Sequence, residues 1–562
     1  MRKPKITYDI LLFSLMMVFL FTPIIQEWTS LFSVKALKGV IEPTPKPKLT
    51  FETYKSNTYQ TQMEKYVSEH FGMREPIIRL YNQYLWTAYN KTYCHFIMPG
   101  KHGYLFYTPA VNEYFGNNLL KHYKSNEEAK KNIESELRQM NKLRHVLKEY
   151  DIEFLAFIAP DKPKIYPEYL PRCNVDTTTI HLPEYFARRM EEMGFPYINM
   201  TDWFVSMKDT VPFPLFPKTD SHWRYSAVYG YDSLFRFINA LDGESKFPNL
   251  HIGPPIAYES EELEGDEGTL NLMFRIPGDK TRYKSDITIE ADTIHRKPKV
   301  LFVGDSFIWS MGDFMPVREI MSDMEIWFYN STAFEGFENK TESVKDIDRL
   351  CHILNADYVV FYSAGHQWWR ATYGFAKDAL LQLCVNDSLF EATVTRMANE
   401  FRNLNDHSNF TEQEIRDKMI NRLKNDPELI PGLEGESVPS IRNTDRIEKA
   451  LAIKRIRNDN TWFNTIQLYA AKNAMSIDDA LQEEACRMAK GKSLLRDEIV
   501  FDTASFIQMK KQEIIKRWKL DTKIMQMLQE KSEERNQPLE VTMEQDAQWV
   551  VNNQIEKGEL FQ

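Results

Sequence analysis

Residues Lys297–Phe314 read KPKVLFVGDSFIWSMGDF. Val300–Val303 is an apolar run of buried-strand type; it meets Gly304-Asp305-Ser306, and a further apolar segment follows. A strand, a tight turn and then a helix or loop hold a serine hydroxyl at the mouth of an α/β sheet, and Gly304 permits a turn that a side chain would obstruct. A hydroxyl so placed acts as a nucleophile if a base reaches it. The same tripeptide is equally an ordinary strand-end turn, where Gly, Asp and Ser are all favoured. The flanking chain supplies the α/β rhythm. Ser125 opens a helix with Glu128 three residues on, as in a capping box, and Ile133, Leu137, Met140, Leu143 and Leu147 follow at helical spacing. Next comes Ile152–Ala159 (IEFLAFIA), short and apolar like a buried parallel strand. Further strands are expected at Tyr197–Met200, Glu325–Tyr329 and Tyr358–Tyr362, and a helix over Tyr225–Ile238.

A base for Ser306 is offered by Thr219-Asp220-Ser221-His222-Trp223-Arg224. In an extended segment, residues i and i+2 point the same way. Asp220 can then hold one imidazole nitrogen of His222 while the other faces the serine, the orienter, base and nucleophile order of a Ser-His-Asp triad. The alternative is a surface loop whose polar residues are solvated.

At 562 residues the chain has room for two or more cored domains. Its formal net charge of −10, with no long basic run, argues against general nucleic-acid binding. Five scattered cysteines (Cys94, Cys173, Cys351, Cys384, Cys486) show no CxxC spacing, so no zinc or other metal site is expected. Arg2, Lys3 and Lys5 precede an apolar run from Ile10 to Ile25, which predicts an uncleaved membrane anchor with the bulk of the chain outside; a cleaved signal peptide is the runner-up. Pro43–Lys48 (PTPKPK) reads as a semi-rigid spacer. After about residue 390, charged helices replace strand signals. There, Asp459, Ile466, Ala470, Ile477, Leu481 and Ala485 recur as Asp521, Leu528, Ser532, Leu539, Met543 and Ala547, an offset of 62 that suggests stacked helical hairpins, with a partial copy at Asn425-Asp426.

PDKPKIYPEYLP (160–171), TDSHW (219–223) and VGDSF (303–307), in this order, with FGMR (71–74) and GKHGYLFY (100–107) upstream, resemble the SGNH hydrolase-like domain of the alginate O-acetyltransferase family of AlgJ/AlgX type. The resemblance covers roughly residues 50–385. It implies a parallel sheet flanked by helices, with Ser306 as nucleophile, His222 as base and Asp220 as orienter. It further implies no cofactor of the chain's own: a multispanning acyltransferase of the MBOAT type passes on acetyl, ultimately from acetyl-CoA, and Ser306 hands it to an extracytoplasmic polysaccharide. The expected organisation is an anchor (1–27), a spacer (28–50), the SGNH-like domain (51–390) and a helical accessory region (391–562), held at a bacterial inner membrane with the catalytic domain on its outer side. Gly365 is a candidate second oxyanion donor. Trp368, within His366-Gln367-Trp368-Trp369, is a candidate sugar-stacking residue, and Tyr166 a candidate cleft residue. An acetylesterase with the same triad and a non-catalytic glycan-binding scaffold are the alternatives.

Overall fold

The computed structural model describes residues 8–38, 44–117, 119–171, 180–243, 245–260, 265–274, 280–290, 297–335, 337, 340–404, 410–440, 442–489, 503–535 and 537–556. Arg2, Lys3, Lys5, Pro43 and Cys173 lie outside the described residues. Among those described, the main sheet has seven strands: β1 (Glu153–Ala159), β2 (Tyr197–Asn199), β3 (Lys299–Gly304), β4 (Asp323–Phe328), β5 (Thr332–Glu335), β6 (Lys340–Ser343) and β7 (Tyr358–Ala364). Their spatial order is β6-β5-β4-β3-β7-β1-β2. β4, β3, β7, β1 and β2 run parallel, and β5 and β6 add an antiparallel edge.

The apolar strands are apolar throughout because both faces are covered. Along β1, Phe154, Ala156 and Ile158 join one core, while Leu155, Phe157 and Ala159 join the other. The same alternation runs through β3 (Leu301 and Val303 against Val300 and Phe302) and β7 (Val359 and Phe361 against Val360 and Tyr362). The first core is closed by helices that include Asn126–Lys148, whose Ile133, Leu137, Met140, Leu143 and Leu147 are all buried, as their spacing implies. Ser125 caps this helix by accepting from Glu128 N at 3.2 Å. Glu128 completes the cap one residue early, accepting from Lys124 N at 2.7 Å instead of from Ser125 N. The second core is closed by Ala227–Asp242, the expected helix shifted by two residues at its start.

The chain leaves β1 toward β2 on one side and leaves β3 toward β4 on the other, with β7 between them. Such a reversal opens a crevice beyond the carboxyl ends of the strands. The loops after β1, β3, β4 and β7 meet there.

Tyr8–Thr29 is a helix long and apolar enough, over Ile10–Thr29, to cross a membrane. Beyond β7 the described chain is helical. The first core does not stop at residue 390: Val394, Met397, Ile415, Leu423, Ile430 and Ile447 belong to it. Lys142 donates to the Leu433 carbonyl at 2.6 Å and pairs with Glu428, as does Arg138. The offset of 62 relates two three-helix units, not hairpins. Asp459 caps Asn460–Lys472 by accepting from Trp462 N at 3.0 Å, and Asp521 caps Thr522–Glu534 by accepting from Lys523 N at 2.9 Å. Ile466 and Leu528, Leu481 and Met543, and Ala485 and Ala547 are buried at matching positions. Asp426 heads a short 3-10 turn, Pro427–Leu429, in place of a full helix, because Pro427, Pro431 and Gly432 break the pattern.

Candidate active site

Gly304 is required by proximity. A Cβ there would stand 1.8 Å from the carbonyl oxygen of Tyr362 on the neighbouring β7. Asp305 follows, wholly buried, and its carboxylate accepts from Phe307 N at 3.0 Å, Ala364 N at 2.8 Å and the Ser363 hydroxyl at 3.1 Å. It thus ties the turn after β3 to the end of β7. Burial raises its pKa, against the two backbone donors that favour the carboxylate. Asp305 is therefore a turn-former, and the serine beside it is delivered to the crevice at the start of the short turn Ser306–Ile308.

The Ser306 hydroxyl lies 2.7 Å from Nε2 of His222. On the other side of the ring, Nδ1 stands 3.5 Å from Asp220 Oδ1, which also accepts from the His222 backbone N–H at 3.0 Å. The second oxygen, Oδ2, takes the Nε of Arg224 at 2.6 Å. Asp220 is buried; burial disfavours its charge, but the His222 contact and the Arg224 charge outweigh this and hold its pKa low. For His222, burial works against the imidazolium. The hydrogen bond and charge of Asp220 outweigh it, with Asp266 and Asp305 adding, so its pKa is raised above the ordinary value of 6.5.

The loop that carries Asp220 is held from beneath. Lys162, buried just after β1, donates to the carbonyls of Leu105, Pro217, Lys218 and Asp220 at 2.7–2.9 Å. From the side, Asp266 accepts from Ser221 N at 2.7 Å, and its own N–H donates to the Thr219 carbonyl at 2.8 Å.

His222 and Ser306 line a cavity of about 510 Å³, together with Phe96, Ile97, Tyr107, Asp161, Tyr329, His366 and Gln367 among others. Several of these were silent in the sequence. His366 Nδ1 is 2.6 Å from Asp161 Oδ1, a buried His–Asp pair that joins the loops after β7 and β1. Tyr329 follows β4 with φ at +50°, and Asn330 comes next, also at +50°. Asn330 is fastened by Arg349, the Tyr373 carbonyl and Asp378, which holds the left-handed turn in place. The turn directs the Tyr329 hydroxyl to the Ser306 side chain; burial and the nearby Asp305 charge push its pKa up to about 12.

Residues 97–310 match the family model described as the SGNH hydrolase-like domain of the acetyltransferase AlgX. Over this segment the chain is similar to an AlgX-type SGNH hydrolase-like domain. The matched segment contains Asp220, His222 and Ser306 and ends before β4. Similar solved structures are the O-acetyltransferase domain of Pseudomonas putida AlgJ (13% identity, covering 49% of this chain and 98% of that one, TM-score 0.33), Pseudomonas aeruginosa AlgX (14%, 53% and 71%, 0.33) and Bacillus cereus PatB1 (13%, 43% and 92%, 0.28). No curated protein matches the chain.

None of the three minor candidates is among the residues that line the cavity. Trp368 is wholly buried between Phe186 and Phe361, with ring centroids 4.8 and 5.1 Å away, and has no face for a sugar. Tyr166 is a core residue whose hydroxyl oxygen accepts from Leu215 N at 3.1 Å. Gly365 is buried beside Asp161, where a Cβ would stand 2.5 Å from a carboxylate oxygen; it makes room for the Asp161–His366 pair. The neighbouring Trp369 stacks flat on His122 at 3.5 Å.

Proposed function

We propose that this chain is a membrane-anchored O-acetyltransferase that carries acetyl as an ester on Ser306 and passes it to a hydroxyl of an extracytoplasmic polysaccharide. The observation that carries the reading is the 2.7 Å contact between Ser306 Oγ and His222 Nε2, with Asp220 behind the ring, inside a cavity at the carboxyl edge of the sheet. Ser306 Oγ attacks the acetyl carbonyl of the donor and His222 takes the hydroxyl proton. The tetrahedral intermediate collapses, His222 returns the proton to the leaving group, and acetyl-Ser306 remains. A sugar hydroxyl then attacks the ester; His222 accepts its proton and gives it back to the departing Ser306 oxygen. Asp220 keeps the imidazole oriented and supports its positive charge in both halves. The oxyanion needs donors placed in advance, and the Ser306 backbone N–H and the Tyr329 hydroxyl are the two assigned here.

The donor side is an MBOAT-type multispanning acyltransferase drawing ultimately on acetyl-CoA, so the chain needs no cofactor of its own. Tyr8–Thr29 holds the domain at a bacterial inner membrane, with residues beyond it on the outer side. The test compares polysaccharide O-acetyl content in cells producing the native chain or Ser306→Ala, beside turnover of a chromogenic acetyl ester by the purified proteins. Loss of both with an unchanged melting temperature is expected; activity retained by Ser306→Ala overturns the reading.

A further inference from the structure

The helix Arg74–Tyr89 turns an apolar stripe outward. Ile77, Leu80, Tyr81 and Tyr84 follow at i, i+3, i+4 and i+7 and are 44–59% exposed. The inner side carries polar Asn82, whose amide donates to the Leu270 carbonyl at 3.0 Å. From Pro76 to Asn90 the one charged residue is Arg79. Its guanidinium is turned toward the Ala36 and Leu272 carbonyls. A helix face bathed in water normally carries the charged residues, and a contiguous exposed apolar patch marks a contact surface.

The position of this helix says what the contact is. A Cβ on Gly72, just before it, would stand 2.4 Å from the Pro23 carbonyl oxygen and 2.6 Å from Glu27 N. The backbone leading into the stripe therefore lies directly on the last turns of the apolar helix Tyr8–Thr29. Trp28, 84% exposed, sits in those same turns, and Trp and Tyr are the residues that favour headgroup depth. A helix that begins at this level, with an uncharged Tyr- and Leu-bearing face, has the make-up of an element lying in the membrane interface.

We propose that the Ile77–Tyr84 face lies in the headgroup region of the bilayer, where the first helix emerges. The domain then rests on the membrane by two elements, and the mouth of the Ser306 cavity opens beside the lipid surface. Lys38, Cys94 and Phe96 are among the residues that line that cavity. Lys38 is also strapped to the domain: its N–H donates to Asn271 Oδ1 at 2.8 Å, and Asn271 Nδ2 donates back to its carbonyl at 2.9 Å. An acyl donor confined to the membrane would meet Ser306 without the domain leaving the surface. This rests on the reading of Tyr8–Thr29 as a membrane anchor.

The test places p-benzoylphenylalanine, singly, at Phe19, Glu64, Leu80 and Tyr84 of the full chain, in nanodiscs of phosphatidylethanolamine and phosphatidylglycerol holding one copy each. After irradiation, lipid adducts are read by mass spectrometry. Adducts at Leu80 and Tyr84 roughly tenfold or more above those at Glu64, alongside strong adducts at Phe19, are expected. Adducts at Phe19 with none at Leu80 and Tyr84 overturn the proposal and leave the anchor standing. Absence at Phe19 as well removes the anchor reading, and the proposal with it. Protein–protein adducts at Leu80 in discs loaded with two copies, without lipid adducts in single-copy discs, assign the face to a second copy and also overturn it.

Discussion

At the scale of single residues, the site is tuned by one charge facing one ring. Asp220 holds His222 above its ordinary pKa despite burial, so the imidazole is neutral, and able to take the serine proton, only toward higher pH. Ester turnover should therefore rise with pH through an apparent pKa above 6.5 and then level off. Asp220→Asn removes both the hydrogen bond and the charge. It should move that pKa downward and lower the plateau by roughly 10³–10⁴-fold, since the ring also loses its orientation. The check is a kcat/KM profile for both proteins; coincident profiles would remove Asp220 from the mechanism. Tyr329 is the second residue to probe. Tyr329→Phe keeps the ring and deletes the hydroxyl that reaches Ser306. It should cost up to roughly 10²–10³-fold in kcat, as loss of one oxyanion donor does, with melting temperature unchanged. A rate within error of the native chain would leave the Ser306 N–H without this partner.

At the scale of elements, the turn after β3 works because two strands approach at the one place without a side chain. Gly304→Ala would drive a methyl into the Tyr362 carbonyl at 1.8 Å, backbone against backbone, where no side chain can swing aside. The expected loss of stability is at or above the ~1–3 kcal/mol of ordinary overpacking. It is read from urea unfolding, and Gly304→Ala melting with the native protein would refute the close approach. The strands that hold the site were legible because burial on both faces forces an unbroken apolar run, as in EFLAFIA and VLFV. The edge strands Thr332–Glu335 and Lys340–Ser343 were not, because half-covered strands with Thr, Glu and Lys read like loop. Spacing offered Asp220 and His222 as a local pair and Ser306 after a recognisable turn, the family resemblance joined the three, and the structure places them side by side. Tyr329, Asp161 and Lys162 were not assigned because their roles arise only when four separate loops converge. Trp368 misled for the converse reason, since His-Gln-Trp-Trp reads the same whether its rings face a cleft or a core.

At the scale of the whole molecule, one face of the sheet and the helical region as far as Ala450 share a single core. Helix Arg349–Asn355, which leads into β7, packs on Thr444–Asn458. Lys454 donates to the Ala356 carbonyl at 3.3 Å, and Lys299, the first residue of β3, reaches Asn458 at 3.1 Å. The second three-helix unit, 503–556, has a looser tie. Its Phe506 packs with Leu468 of the first unit, while its other buried residues mostly contact one another. Two truncations should therefore behave differently. Ending the chain after residue 489 removes the second unit and should leave ester turnover and the main unfolding transition close to native. Ending it after residue 390 strips Val394, Ile415, Leu423, Ile430 and Ile447 from the core that contains Phe154 and Leu143. Each buried side chain of this kind is worth about 1.5–3 kcal/mol, so the summed loss is of the same size as the ~5–15 kcal/mol that keeps a typical domain folded. The shorter protein should be insoluble or unfolded by circular dichroism. If it folds and turns over ester at the native rate, the first helices after β7 are a detachable accessory and the shared core is not what holds Ser306 in place.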